Sequence, residues 1–224
     1  MSLEIDFLIP LLTIISIDIV LGGDNAIVVA LACRNLPTKI RNKAIIIGIG
    51  FAILARVSLT LIAVYLLNIP LLMAIGGASL LYISYHLLTD LNDRRDVHGK
   101  TTLFAAIKTI IIADLVMGFD NIIAVAGAAD GNKTLVIIGL LISVPIIIWG
   151  SKLILSAMDR FPIIIYIGAG ILAYTATKMI IHEPLLASLF SSHPYIPVAM
   201  QLIVIVVVIF SGWMSNHLKD TSVN

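Results

Sequence analysis

Asp18-Ile19-Val20-Leu21-Gly22-Gly23-Asp24-Asn25 and Asp114-Leu115-Val116-Met117-Gly118-Phe119-Asp120-Asn121 are two copies of one pattern, D-x-V-x-G-x-D-N. Each copy lies inside an apolar stretch of membrane-spanning length, 7–33 and 103–128. Four carboxylates and two carboxamides thus stand where hydrocarbon should surround them. An ionised side chain at mid-bilayer costs roughly 2.5–3.5 kcal/mol even on the mildest insertion scale. Four acids placed in register by duplication therefore read as an ion path.

The rest of the sequence is that of a polytopic membrane protein. Of 224 residues, 60% are apolar and 12% charged, and mean hydropathy is +1.10, against about 25% charged in a soluble domain. Seven stretches, 7–33, 43–67, 70–90, 103–128, 134–156, 161–181 and 197–216, each hold enough apolar residues to cross a bilayer. Each must be helical, because hydrocarbon cannot satisfy open backbone groups. The expected fold is an all-α membrane protein, a single transmembrane domain over 1–224. Met1–Asp6 has two acids and no basic residue, so the first apolar stretch is expected to be retained as a span. A net charge of +1 gives no ground for a nucleic-acid partner, and the lone Cys33 excludes an internal disulfide or a thiolate metal cluster.

Basic residues orient the chain. With the N-terminus outside, the inner side receives Arg34, Lys39, Arg41, Lys43, Arg94, Arg95, Lys100, Lys152, Arg160 and Lys219, while the outer loops hold only Lys133. Lys108 and Lys178 lie near span ends and Arg56 lies within span two. The positive-inside rule then places the C-terminus in the cytoplasm.

The duplication extends beyond the motif. Pro70, Gly76, Tyr82 and His86 match Pro162, Gly168, Tyr174 and Lys178 at a constant offset of 92, whereas the motif copies are offset by 96. Spans one to three (7–90) therefore correspond to spans four to six (103–181), with 91–102 as the inter-repeat loop. Three is odd, so the second copy enters from the opposite side. This is the inverted repeat of secondary transporters, with the substrate site near the midplane. Span seven, 197–216, is an addition expected at the periphery.

At 100° per residue, Asp18, Gly22 and Asn25 share a helix face, as do Asp114, Gly118 and Asn121. Asp24 and Asp120 stand six residues from their partner acids, about 9 Å of rise and some 120° of rotation on an unbroken helix. Gly22-Gly23 predicts a kink or short unwound stretch that re-aims Asp24; Gly118 alone predicts a weaker break. Asp18 and Asp114, with Asn25 and Asn121, suit a central cation site, and Asp24 and Asp120 suit entry and exit. Carboxylate and carboxamide oxygens are hard ligands for Mg²⁺, Ca²⁺ or Mn²⁺. A Met117 thioether would favour Mn²⁺ among these, although methionine is more often packing. Like charges crowded in low dielectric also make exchange of a proton for the metal an available driving reaction.

In D-x-V-L-G-G-D-N-A (Asp18–Ala26), D-x-V-M-G-F-D-N (Asp114–Asn121) and the seven-span layout, the chain resembles the TerC family of integral membrane proteins. The resemblance covers essentially the whole chain. It implies Mn²⁺ export across a bacterial cytoplasmic membrane, with Mn²⁺ as transported substrate and no prosthetic group. It carries the site over to Asp18, Asp24, Asn25, Asp114, Asp120 and Asn121.

Other readings stand beside these. Arg56 is either a counter-ion that balances the carboxylates until metal arrives or a structural partner; salt bridges to Arg56, Lys108 and Lys178 would account for part of the acid set. Gly76 and Gly168 read as close helix packing, and His86 and Lys178 as interfacial anchors or gates. His182, Glu183 and His193 read as a solvated loop or a metal-collecting one. Asp90, Asp93, Arg94, Arg95 and Asp96 read as a solvated hinge, and Cys33 as a small apolar residue. An intramembrane aspartyl protease would also place two aspartates in neighbouring spans. Neither motif has the G-x-G-D glycine, however, and a protease needs one acid per helix, so an enzyme is not expected. An organic-cation or amino-acid exporter would need aromatic or hydroxyl groups at the site, for which the motif offers only Phe119 and Ser16.

Overall fold

A computed structural model describes residues 2–62, 69–89, 103–129, 131–191 and 195–221. The expected hinge residues Asp90, Asp93, Arg94, Arg95 and Asp96, and His193, lie outside them. The described residues are helical with short turns: α1 (Ser2–Leu21), α2 (Gly23–Cys33), α3 (Thr38–Leu61), α4 (Leu72–Thr89), α5 (Leu103–Ala129), α6 (Lys133–Arg160), α7 (Ile163–Ile181), α8 (Pro184–Ser191) and α9 (Tyr195–Thr221).

Among the described residues, α3, α4, α6, α7 and α9 are long and apolar enough to cross a membrane. The count rises to six if α1 and α2, bent by 43° at a short break, form one span. The helix α5 is 27 residues long, about 40 Å at 1.5 Å per residue, and carries Lys108, Asp114 and Asp120. The short α8 falls in a segment read from the sequence as a loop.

The bundle is assembled by matched helix pairs. The helix α3 packs along α5, α6 packs along α1 and α2, and α4 packs on α7. Small residues make the crossings close. A Cβ at Gly48 of α3 would come 2.7 Å from Ile110 Cδ1 of α5, and a Cβ at Gly139 of α6 would collide with Ile14 of α1. Gly48 and Gly139 are 91 positions apart, close to the offset of 92, and Ile14 and Ile110 are 96 apart, the offset of the motif copies, so a like glycine–isoleucine contact occurs twice. Gly76 meets Met179 and Val116, and Gly168 meets Ile27, Leu31 and Met158, as close packing requires. The helix α9 packs on α7 and α4. Its Gly212 lies against Leu88 and its Asn216 donates to the Leu88 carbonyl at 3.1 Å. Most of α9 otherwise faces outward, the peripheral place expected of it.

Turns are held by polar groups. Gly131, at φ +77°, makes the tight reversal between α5 and α6, where a left-handed backbone favours glycine. Asn132 then caps α6 by accepting from Thr134 N at 3.0 Å and Leu135 N at 3.3 Å, as a helix start requires. At the start of α3, Arg41 donates to the Arg34 carbonyl at 2.5 Å and the Leu36 carbonyl at 2.8 Å, and pairs with Asp159 of α6 at 2.6 Å. Arg34, one of the basic residues assigned to the inner side, is itself buried in this turn.

The solvated-loop reading of Glu183 is wrong: the residue is 2% exposed. Its carboxylate accepts from Leu71 N and Met73 N, both at 3.1 Å, and from Ala74 N at 3.3 Å. It thus caps α4 from the far end of α7, and supports Leu71 in an uncommon left-handed conformation at φ 61°. The first N–H groups of a helix lack partners within it, and Leu72, Met73 and Ala74 carry no side-chain oxygen acceptor of their own. Glu183→Ala should cost about 1–3 kcal/mol of stability and lower the unfolding midpoint of the purified protein, with Glu183→Gln, which keeps one acceptor oxygen, in between. An unchanged midpoint in Glu183→Ala would remove the cap from this account.

Candidate functional site

The two motif copies meet at the centre of the bundle. Asp18 comes from α1 and Asp114 from α5, and the guanidinium of Arg56 from α3 lies between them. Nη1 donates to Asp18 Oδ1 and Nη2 to Asp114 Oδ1. The second oxygen of Asp18 accepts from the Ser143 hydroxyl of α6. Asp18 is 1% and Arg56 2% exposed, and Ser143 is fully buried. Four helices, two from each half of the duplication, therefore converge on one buried polar cluster. Arg56 is a partner of both central acids, so the salt-bridge reading holds for this pair of the set.

Two carboxylates share one guanidinium, and several polar atoms around them are unmatched. Asp114 Oδ2, Arg56 Nε, both polar atoms of the Asn25 side chain and Asn121 Nδ2 are buried without a hydrogen-bond partner among the described residues. Buried polar atoms are paired in the great majority of cases, so these open valences make the cluster the candidate site. A small cavity of about 10 Å³ is lined by Asn25, Ile49, Ala52, Arg56, Asp114 and Ile147, among others. Such a volume suits one water-sized occupant. It lies on the side of the Arg56 bridge towards Cys33, Thr38 and Leu103, since Asn25 follows Asp18 while Ile49 and Ile110 precede Arg56 and Asp114. Among the described residues no three His, Cys, Asp or Glu side chains come together to hold a metal ion; the cluster brings together two carboxylates, and Asn25 and Asp114 line the cavity.

The other motif residues occupy distinct places. Asp24, at the start of α2, accepts from the Thr175 hydroxyl of α7 at 2.8 Å, separate from the Asp18–Asp114 pair. The side chain of Asp120 lies outside the described residues, and its backbone belongs to α5. Met117 is buried in the main apolar cluster, where packing accounts for it. His86 is exposed and stacked on Tyr82, and Lys178 is exposed, which fits anchoring.

The glycine pair behaves as its chemistry predicts in the first copy. Helix α1 ends at Leu21 and α2 begins at Gly23, with Gly22 between at φ −80° and ψ −5°. A Cβ on Gly22 would collide with the Asp18 carbonyl, whereas one on Gly23 would meet nothing within 4 Å. The second copy differs from expectation: α5 runs through Gly118 without interruption. One glycine does not break a helix packed on its neighbours. Instead, Gly118 leaves room for Arg56, whose Nε would lie 3.4 Å from an added Cβ.

Ser143 and Thr175 were not singled out from the sequence. The only available signal was a hydroxyl within an apolar span, which elsewhere serves simply to bond its own helix, as Ser151 does to the Ile147 carbonyl.

Residues 3–219 match the family described as "Integral membrane protein TerC family". The chain is 48% identical over 210 residues to "Uncharacterized membrane protein YjbE" of Bacillus subtilis, covering 94% of this chain and 96% of that one. It is 31% identical over 147 residues to "Uncharacterized membrane protein YkoY" of the same organism, covering 57% and 45% of the two chains. It is also 25% identical over 175 residues to "UPF0053 inner membrane protein YoaE" of Escherichia coli, 69% of this chain and 34% of that one. No solved structure matches. On the steric contrast between the two glycines, Gly22→Val should sharply lower the yield and melting temperature of folded protein, while Gly23→Ala should leave both near wild type. Equal tolerance at the two positions would contradict the close approach at Asp18.

Proposed function

Given that the chain belongs to the integral membrane protein TerC family, we propose that it is a divalent-cation efflux transporter of the bacterial cytoplasmic membrane, with Mn²⁺ its favoured substrate. It acts by alternating access and catalyses no covalent chemistry. One observation carries this reading: two carboxylates, one from each motif copy, share a single guanidinium at the centre of an apolar bundle. One positive charge for two negative ones leaves a site that attracts a further cation. The open oxygens, Asp114 Oδ2 and the Asn25 carboxamide, are hard donors suited to Mn²⁺, Mg²⁺ or Ca²⁺. Preference for Mn²⁺ rests on the family resemblance, since Met117 is packing.

The architecture we assign has seven spans, with α1 and α2 as one bent span and α5 as the fourth. Spans one to three and four to six form inverted repeats that rock about the central acids. The paired contacts Gly48–Ile110 and Gly139–Ile14 support this two-fold relation. The excess of Lys and Arg at the Cys33–Thr38 end orients the N-terminus outward. The small cavity beside Asn25 and Asp114 then lies in the cytoplasmic half, on the loading side for export. Asp24 with Thr175 serves as the cytoplasmic entry step and Asp120 as the exit step, with proton exchange as the driving reaction.

Asp18→Asn and Asp114→Asn should each abolish Mn²⁺ accumulation by inverted membrane vesicles while the protein stays in the membrane at normal levels. Wild-type accumulation by both variants would sink the assignment. The same vesicles at varied internal pH read proton coupling: accumulation should rise as the lumen is made acidic.

A further inference from the structure

We infer that Arg56 is a tethered competitor for the cation site: its guanidinium and the transported ion neutralise the same two carboxylates in turn. The inference rests on the cation-transport reading above and adds how an ion is admitted and released.

The first support is geometric. Arg56 takes one oxygen of Asp18 and one of Asp114 through separate nitrogens. Asp114 Oδ2 is open and the second oxygen of Asp18 is held by Ser143, so an ion that enters beside Asn25 and Asp114 and bridges the two acids comes to lie against the guanidinium. The adjoining cavity, about 10 Å³, has room for one water-sized body beside the guanidinium. A divalent ion there would face a positive charge at close range in low dielectric, where repulsion is strong. The ion and the guanidinium therefore exclude one another.

The second support is a departure from the duplication. Gly22 and Gly118 are 96 positions apart, and Arg56 and Ile147 are 91 apart, the offsets that relate the Ile14–Gly139 and Ile110–Gly48 contacts. A Cβ on Gly118 would meet Arg56, and a Cβ on Gly22 would meet Ile147 Cδ1 at 3.6 Å. Arg56 and Ile147 thus occupy equivalent places in the two halves. Packing at this place is satisfied by isoleucine in one half, so the cation in the other is not a packing requirement. A buried ion pair is also weak evidence for stability, because an apolar substitute of similar volume is often as stable. What the arginine adds is charge, delivered at the point where both motif acids meet.

The third support is charge balance. Asp18 and Asp114 carry two negative charges between them; the guanidinium neutralises one, and a divalent ion neutralises both. A bare pair of carboxylates in hydrocarbon is costly. Arg56 neutralises one carboxylate when the ion leaves, which speeds release, and leaves the other for the proton that the carrier brings back. Without it, the acids would hold the ion tightly and turn over slowly.

The test is Mn²⁺ titration of the full-length protein in lipid nanodiscs by calorimetry, with melting temperature read with and without Mn²⁺. Wild type, Arg56→Gln, Arg56→Lys and Asp18→Asn are compared. Arg56→Gln should bind Mn²⁺ at least ten-fold more tightly than wild type, melt lower without metal and regain stability with it. Arg56→Lys keeps the charge in the membrane but loses the fork that reaches both carboxylates, so it should fold and bind a few-fold more tightly. Vesicle export should slow in both. If Arg56→Gln cannot be recovered folded, Arg56→Lys decides. Affinity equal to or weaker than wild type in the folded arginine variants, with wild type binding and Asp18→Asn not, would overturn this inference and leave the transport reading standing. Wild type that binds neither Mn²⁺, Mg²⁺ nor Ca²⁺ would remove the transport reading, and this inference with it.

Discussion

The bridge from Asp18 through Arg56 to Asp114 is the constraint around which the bundle is arranged. Charged groups in an apolar bundle must meet partners, because neither lipid nor packed side chains can solvate them. Satisfying Asp18, Asp114 and Arg56 together requires α1, α3 and α5 to approach within the reach of an arginine side chain. Ser143 draws α6 into the same cluster. The glycines at the crossings follow from that demand: Gly48 and Gly139 let backbones close up, and Gly118 leaves space for the guanidinium itself. A polar centre of this kind is a poor way to gain stability compared with a packed apolar one, and that imbalance supports the transport proposal.

The two halves of the molecule are alike in their outer packing and unlike at the centre. The same glycine–isoleucine contact supports both halves, yet one motif copy is bent at Gly22 and the other is straight through Gly118. One half presents Arg56 where the other presents Ile147. The proposed alternating-access cycle would need two states of similar energy, which related halves would supply, and a site that responds to cargo, which the central differences would supply. The cap from Glu183 onto α4 ties α7 to α4 away from this centre.

Much of this was legible in the residues. Apolar stretches of bilayer length predicted the helices and most of their limits. The break at Gly22-Gly23 followed from paired glycines, and the outlying place of 197–216 from its position beyond the duplication. The motif singled out Asp18 and Asp114, which share Arg56. Less legible were the contacts made across large sequence separations. The choice between counter-ion and structural partner for Arg56 had no answer in the order of residues, since both require only an arginine at mid-span. Ser143 and Thr175 look like any hydroxyl in an apolar helix, and Glu183 looked like a loop acid because its partners, Leu71, Met73 and Ala74, are backbone amides more than 100 positions away.

The sequence alone therefore determined that this is a membrane protein built of long apolar helices, and that D-x-V-x-G-x-D-N occurs twice within its apolar stretches. Those properties follow from local composition and periodicity, because hydrocarbon permits a spanning chain so few backbone solutions. Only the tertiary structure decided which partner each buried charge takes, that Asp24 stands apart with Thr175, and that one arginine serves both central acids. Such pairings depend on helix crossings set by packing in three dimensions, and packing is a property of neighbours that sequence order does not specify.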